Sequence, residues 1–144
     1  MSRLDYLYKL IWVPSLALVI SIVYMLLDTS LPGEYTGEAT AKIHNNRIML
    51  TYGFKRHRFC DVDIYRQVIH EGQVETLPAV HVTAGQVQKM NQVKPDIVDQ
   101  VLPLSYGPLV GDITLRVALD YSCNLIQIIK PLRYEYDVVF SLNK

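Results

Sequence analysis

Residues 112–123 read DITLRVALDYSC, with apolar and polar side chains alternating along the stretch. Successive side chains of a β-strand point to opposite faces of a sheet, so this pattern predicts a strand with one buried face and one exposed face. A sheet with a single apolar face needs a second layer to cover it. The stretch therefore predicts a two-layer β domain, with Cys123 on the buried face.

Further stretches around it have the composition of short strands. They are residues 39–43, 48–54, 60–70, 76–82, 97–102 and 134–142. Turn residues separate them at Asn45-Asn46, Glu71-Gly72, Ala84-Gly85 and Gly107-Pro108. Seven or so short strands joined by turns predict an all-β sandwich over residues 39–144.

An apolar segment precedes this domain. Residues 10–27, LIWVPSLALVISIVYMLL, carry no charge and lie between Lys9 and Asp28. At about 1.5 Å per residue, a helix of this length covers roughly 27 Å, close to the ~30 Å hydrocarbon core of a bilayer. We therefore expect one transmembrane helix, with the lipid bilayer as its partner. Residues 1–9 form a short N-terminus before it, and residues 28–38 form a linker after it.

Charge around the segment predicts its orientation. Arg3 and Lys9 precede it, and no Lys or Arg follows until Lys42. The positive-inside rule then predicts a cytoplasmic N-terminus and a periplasmic or extracellular C-terminal domain. A cleaved signal peptide is the alternative. It has a shorter apolar stretch, and the small-residue site Ala39-Thr40-Ala41 lies far downstream, so we expect an uncleaved signal-anchor.

The two cysteines both fall on inward-facing strand positions, since Cys60 shares a face with Val62 and Ile64. In an oxidising compartment they predict a Cys60–Cys123 disulfide, and closing a loop of about 60 residues stabilises by up to roughly 4 kcal/mol. Two buried free thiols in a cytosolic domain are the alternative. The wide spacing does not fit the local ligand pairs of a zinc site.

Composition and motifs favour a protein without catalytic function. The 14 basic and 14 acidic residues give no excess of positive charge for nucleic acid. We find no nucleophile–base motif and no phosphate-binding glycine loop, and we expect no enzyme activity, cofactor or metal. A hairpin could pair His70 with His81 as metal ligands, but solvated surface positions are favoured. Other scattered polar candidates, which we interpret as surface positions, are His44, Asp61 and Asp63.

Two resemblances follow from these residues. Tyr121-Ser122-Cys123 resembles the Tyr-x-Cys of immunoglobulin strand F, which implies an immunoglobulin-like sandwich with Cys60 as the partner that bridges the two sheets. The N-terminal span, the two cysteines, Asn124 and Lys130-Pro131 together are similar to small single-pass membrane-anchored proteins of tailed phages. That second resemblance implies an accessory role at the host envelope, such as exclusion of a second infection, lysis or virion attachment, and no activity.

Candidate contact residues are few. Lys55-Arg56-His57-Arg58 is the densest charge cluster, and it suits a lipid headgroup, an envelope polyanion or an acidic protein partner. The alternative is that these charges only keep an exposed loop or strand edge soluble. The chain also holds 10 tyrosines, a residue type enriched in recognition surfaces. Those that the strand pattern explains least are Tyr52, Tyr65 and Tyr106.

These observations predict a non-enzymatic, membrane-anchored binding or assembly module with a protein or envelope partner. The alternative is a structural subunit of a larger membrane or virion complex, held through its transmembrane helix. Ala17 and Ser21 form a small-xxx-small pair that would then lie at a helix–helix contact. A homo-oligomer is compatible with either role.

Overall fold

The computed structural model describes residues 3–45, 47–103 and 111–142. Over these residues each predicted strand is present, and most extend beyond the predicted bounds. The elements, in chain order, are α1 (Arg3–Leu27), β1 (Gly33–His44), β2 (Arg47–Arg56), β3 (Asp61–His70), β4 (Gln73–Val82), α2 (Ala84–Val93), β5 (Ile97–Pro103), β6 (Gly111–Ser122), α3 (Leu125–Ile129) and β7 (Leu132–Leu142).

The strands form two antiparallel sheets with the orders β1-β2-β5 and β4-β3-β6-β7. This confirms the predicted β-rich domain of two layers. One hydrophobic core lies between the sheets, and fully buried leucines such as Leu50 and Leu115 contribute to it from opposite sides. Strand β1 of the first sheet lies beside β7 of the second. The outer strands on the other side are β4 and β5.

Strand β6 has the alternation that its sequence predicts. It lies between β3 and β7, so neighbours pair with both of its edges. Its inner row is buried in the core. That row consists of Ile113, Leu115, Val117, Leu119 and Tyr121.

Tyrosine rings join the two sheets where β1 meets β7. Tyr35 stacks on Tyr136 with ring centroids 5.1 Å apart, and the backbone N–H of Tyr35 donates to the hydroxyl of Tyr134. The hydroxyls of Tyr52 and Tyr136 lie 3.0 Å apart, and burial raises the pKa of Tyr136. Tyr52 is 2% exposed, so it is a core residue and does not lie on an exposed surface.

Several predicted boundaries differ from the structure. Residues 3–9 continue helix α1 because they contain no proline or glycine that would end it. Residues 33–38 already belong to β1, and residues 33–35 pair with β2 before a register shift that ends at Ala39. Ala84-Gly85 was predicted as a turn but begins α2, since Thr83 and Gln86 form a capping box. Glu71-Gly72 is a turn, with both φ angles positive. Asn46, Tyr106 and Gly107-Pro108 lie outside the described residues.

The cysteine pairing follows from the strand register. The sulfurs of Cys60 and Cys123 lie 2.07 Å apart, at disulfide bond distance. Asp61 pairs with Ser122 across β3 and β6, so the two cysteines lie opposite each other at the end of neighbouring strands. The bond thus joins two strands of one sheet. The bridge between sheets that the immunoglobulin resemblance implies is not found.

Helix α1 includes one segment, Tyr6–Leu27, that is long and apolar enough to cross a membrane, and none of its apolar window is buried in the protein. Among the described residues it is the one helix with this property. The hydroxyl of Ser21 donates to the carbonyl oxygen of Ala17 at 2.8 Å. This polar group is therefore satisfied within its own helix and does not need a neighbouring helix.

Candidate functional site

The end of α1 is bound to the loop that follows β2. The guanidinium of Arg58 donates to the Asp28 carboxylate at 2.8 Å and to the carbonyl oxygen of Ser30 at 3.0 Å. The backbone N–H groups of His57 and Arg58 both donate to the carbonyl oxygen of Pro32. The hydrogen bond from Arg58 lowers the pKa of Asp28 below its ordinary value. An ionised carboxylate at the end of the helix is thus tied to the domain.

A second connection runs through α3. The side chain of Gln127 is buried, with its amide nitrogen donating to the carbonyl oxygen of Asp28 at 3.0 Å. Its amide oxygen accepts from the backbone N–H of Cys123 at 2.9 Å. Asn124 caps α3 with its side-chain oxygen and donates from its nitrogen to the carbonyl oxygen of Met25 at 3.4 Å. We call Asp28, Arg58, Cys123, Asn124 and Gln127 the junction.

Helix α3 presents apolar side chains to solvent beside the junction. Leu125, Ile128 and Ile129 are 72%, 67% and 88% exposed. The helix contacts the end of α1, so this apolar surface adjoins the point where the apolar segment Tyr6–Leu27 ends. Contiguous exposed apolar groups on a protein surface mark sites of interaction with a membrane or a partner.

Of the predicted contact cluster, Lys55 to Arg58, most side chains have partners within the chain. Arg56 donates to the side-chain oxygen of Asn91 at 3.3 Å, and His57 lies 3.4 Å from a carboxylate oxygen of Glu34. Arg58 belongs to the junction. Lys55 is exposed. These contacts within the chain give the cluster a structural role. Its role as a contact surface stays a prediction.

The remaining polar candidates have structural surroundings. His81 lies 2.7 Å from the carboxylate of Asp63, whereas His70 lies opposite Gln73 at the other end of the hairpin. The register therefore separates the two histidines instead of pairing them. The carboxylate of Asp61 accepts from the first backbone N–H of α2 at 2.7 Å. In residues 3–45, 47–103 and 111–142, no three His, Cys, Asp or Glu side chains are grouped to hold a metal ion.

A cavity of about 260 Å³ lies between the two sheets on the side of β4, β5 and α2. It was not predicted from the sequence. Most of its lining is aliphatic and aromatic, but several charged or amide side chains also reach it. The polar residues are Arg56, Arg58, Arg66, Asp99 and Gln100.

Comparison with known proteins does not assign a family. No protein-family model matches the chain, and no curated protein sequence matches it. The fold and the junction define the class of protein: a β domain of two antiparallel sheets behind an N-terminal helix that is long and apolar enough to span a membrane.

Proposed function

We propose that this protein is a non-enzymatic, membrane-anchored binding or assembly module whose β domain lies close against the outer or periplasmic face of a membrane. The junction is the observation that carries the proposal. Side chains of the domain donate to the carbonyl oxygens of Met25, in the last turn of α1, and of Asp28 directly after it. Arg58 binds the Asp28 carboxylate. The helix is thus attached as an integral part of the fold.

The atoms involved support an uncleaved anchor. The last carbonyl groups of a helix have no partner within it and require one from elsewhere. Asn124 and Gln127 of the β domain donate to carbonyl oxygens at this end of α1. Cleavage at the downstream site Ala39-Thr40-Ala41 would remove Asp28 with the helix and leave the buried amide of Gln127 without its acceptor, which costs about 1–3 kcal/mol.

The exposed face of α3 supports contact with the lipid. We propose that Leu125, Ile128 and Ile129 lie in the interfacial layer of the bilayer next to the end of α1. Burying an apolar side chain contributes about 1.5–3 kcal/mol, so several such residues restrain the orientation of the domain. Lys130 follows directly and can extend its ammonium group to anionic headgroups.

The orientation rests on two features. A disulfide persists in an oxidising compartment, and Arg3 and Lys9 precede the helix while no basic residue follows it until Lys42. The resemblance to phage membrane proteins supports action at the host envelope. We also propose that the sandwich is immunoglobulin-like. It departs from the immunoglobulin pattern in that its disulfide joins two strands of one sheet instead of bridging the two sheets.

Maleimide labelling tests the anchor and its orientation. Lys89 is exposed on α2, and we expect a Lys89→Cys variant to react with a membrane-impermeant maleimide in intact spheroplasts. The wild-type chain, with both cysteines paired, is the unlabelled control. Labelling only after lysis would place the domain in the cytoplasm. Release of the chain from membranes by alkaline carbonate would contradict the anchor.

Exchange of the helix separates the module from the structural subunit. Residues 6–24 are replaced by an unrelated apolar helix of equal length, with Met25 and Asp28 retained so that the junction stays intact. Cross-linked partners are then compared between the two chains in the native host. A binding module keeps its partners after the exchange, whereas a subunit held by specific helix contacts loses them.

A further inference from the structure

The charged side chain of Arg66 lines the cavity between the sheets, although its position on β3 belongs to the row of side chains that faces the core. Along β3 the inward row is Val62, Ile64, Arg66 and Val68, because successive side chains alternate between faces. Val62 and Val68 are buried, and Arg66 lies between them in the same row. Placing a guanidinium on an apolar row carries a desolvation cost that a hydrophobic residue would avoid.

The other sheet repeats this arrangement. On β5, Gln100 lies between Val98 and Leu102 in the inward row. On β2, Arg56 continues the row that contains the buried Phe54. Polar side chains from both sheets therefore line one cavity.

These polar groups are only partly satisfied. The Nε atoms of Arg58 and Arg66 and the Oε1 atom of Gln100 are buried and have no hydrogen-bond partner within the part of the chain that the structure describes. The opposite ends of two of these side chains are held: Arg66 donates to the carbonyl oxygen of Pro78 and Gln100 to the hydroxyl of Tyr52. Buried polar groups are almost always paired in native proteins. Two donors and one acceptor at the lining therefore lack a partner among the described residues.

The rest of the lining sets the shape and charge of that ligand. Apolar side chains from β4, α2 and β5 surround the cavity. They include Val80, Val87, Met90 and Val98. Helix α2 lies at the cavity without burying any of its own residues. Asp99, the one acidic residue of the lining, is paired with Lys94, and Arg58 is paired with Asp28, so Arg56 and Arg66 give the lining its positive charge.

We propose that this cavity binds a carboxylate that carries an apolar side chain and an adjacent N–H group, the chemistry of an N-acyl amino acid or of an apolar peptide C-terminus. The carboxylate accepts from the Nε–H of Arg66, and the ligand N–H donates to Gln100. The apolar side chain packs against Val80 and Met90. The proposal names the ligand class for the binding role above, but it does not depend on the membrane anchor.

Calorimetric titration of the full chain in lipid nanodiscs tests the proposal. The probe is N-acetyl-leucine, and N-acetyl-leucinamide is its uncharged match. We expect the acid to bind at least about tenfold more tightly, because its carboxylate makes a charge-assisted hydrogen bond that the amide lacks. An acetylated tripeptide ending in leucine separates the two sources: tighter binding than the single residue indicates a peptide terminus, and equal binding indicates the small molecule. Equal affinity for acid and amide, or no binding of any probe, would overturn the proposal.

Substitution of the cavity cation gives an independent result. Arg66→Met is expected to weaken the binding of N-acetyl-leucine at least about tenfold. It should keep or raise the melting temperature, since it removes an unpaired buried N–H. Arg47→Met, at an exposed position of β2, is the matched control and should bind as the wild type does. Gln100→Leu is a second variant, and it should weaken the binding of N-acetyl-leucine without changing the charge of the cavity. Wild-type affinity in both cavity variants would refute the site. Binding by a chain that fails to insert would refute only the anchor.

Discussion

The side-chain amide of Gln127 donates a hydrogen bond of 3.0 Å to the carbonyl oxygen of Asp28, which lies 99 residues earlier in the chain. The same amide group accepts from the backbone N–H of Cys123. One buried side chain thus links the end of α1 to the disulfide. This explains a glutamine within the otherwise apolar helix LIQII.

Replacing this amide should destabilise the protein. Gln127→Leu leaves a carbonyl oxygen and an N–H group without their partner, and we expect the free energy of unfolding to fall by about 1–3 kcal/mol. Thermal unfolding followed by circular dichroism measures the change. Gln73→Leu, at an exposed position, is the matched control and should change stability by less than about 0.5 kcal/mol. Equal effects of the two substitutions would contradict the role of Gln127.

The disulfide should contribute more than any single hydrogen bond. Cys60 and Cys123 are separated by 63 residues, and opening such a loop lowers the free energy of unfolding by about 2–4 kcal/mol. We expect Cys60→Ser/Cys123→Ser to unfold at a correspondingly lower urea concentration. Migration on non-reducing and reducing gels reports the bond itself. Free thiols in the native protein would contradict both the bond and the proposed compartment.

The pair of Asp28 and Arg58 predicts a dependence on pH. The folded state lowers the pKa of Asp28 below its ordinary value of 3.8, chiefly through the hydrogen bond from Arg58. This stabilisation is present above pH 3.8 and is lost as the pH falls through the folded pKa. At neutral pH, Asp28→Asn should lower the free energy of unfolding by only about 1 kcal/mol, because solvent screens the partly exposed Arg58.

Comparison of unfolding curves from pH 7 to about pH 2 checks this expectation. The difference between wild type and Asp28→Asn should shrink toward zero at the acidic end. Glu38→Gln removes an exposed carboxylate of β1 and should leave stability at neutral pH unchanged. A constant difference across the range would show that the substitution acts through packing.

Tryptophan fluorescence tests the contact of α3 with lipid. Trp12 is the only tryptophan of the chain, so Trp12→Phe/Ile128→Trp carries a single reporter on the exposed face of α3. Brominated lipids should quench it. A matched reporter at Val139, exposed on β7 far from the junction, should remain bright. Equal emission from both positions would place α3 in water.

The strands could be predicted because their signal is local. Alternation in β6 needs only twelve consecutive residues, and burial of one face follows from it. Helix α2 was missed because its sequence, AGQVQKMNQV, is mostly polar, and its sparse apolar row of Val87, Met90 and Val93 includes no fully buried residue. The capping box of Thr83 and Gln86 was the signal that could have revealed it.

The junction and the cavity were harder to predict. The bond between Gln127 and Asp28 depends on how distant segments meet, which no local pattern encodes. Arg66 did leave a signal, since it interrupts an inward row of valine and isoleucine. Only the register of both sheets shows that this interruption faces Gln100 across a cavity.

The position of the disulfide has a mechanical consequence. Cys60 and Cys123 close the end of β3 and β6, the two central strands of the four-stranded sheet, beside the attachment of α1. The covalent path from α1 runs through residues 28–32 into β1, whereas α3 and Cys123 are reached through the hydrogen bonds of Asn124 and Gln127. A pull on α1 therefore loads β1 directly, and the bonded ends of β3 and β6 stay together when those hydrogen bonds break.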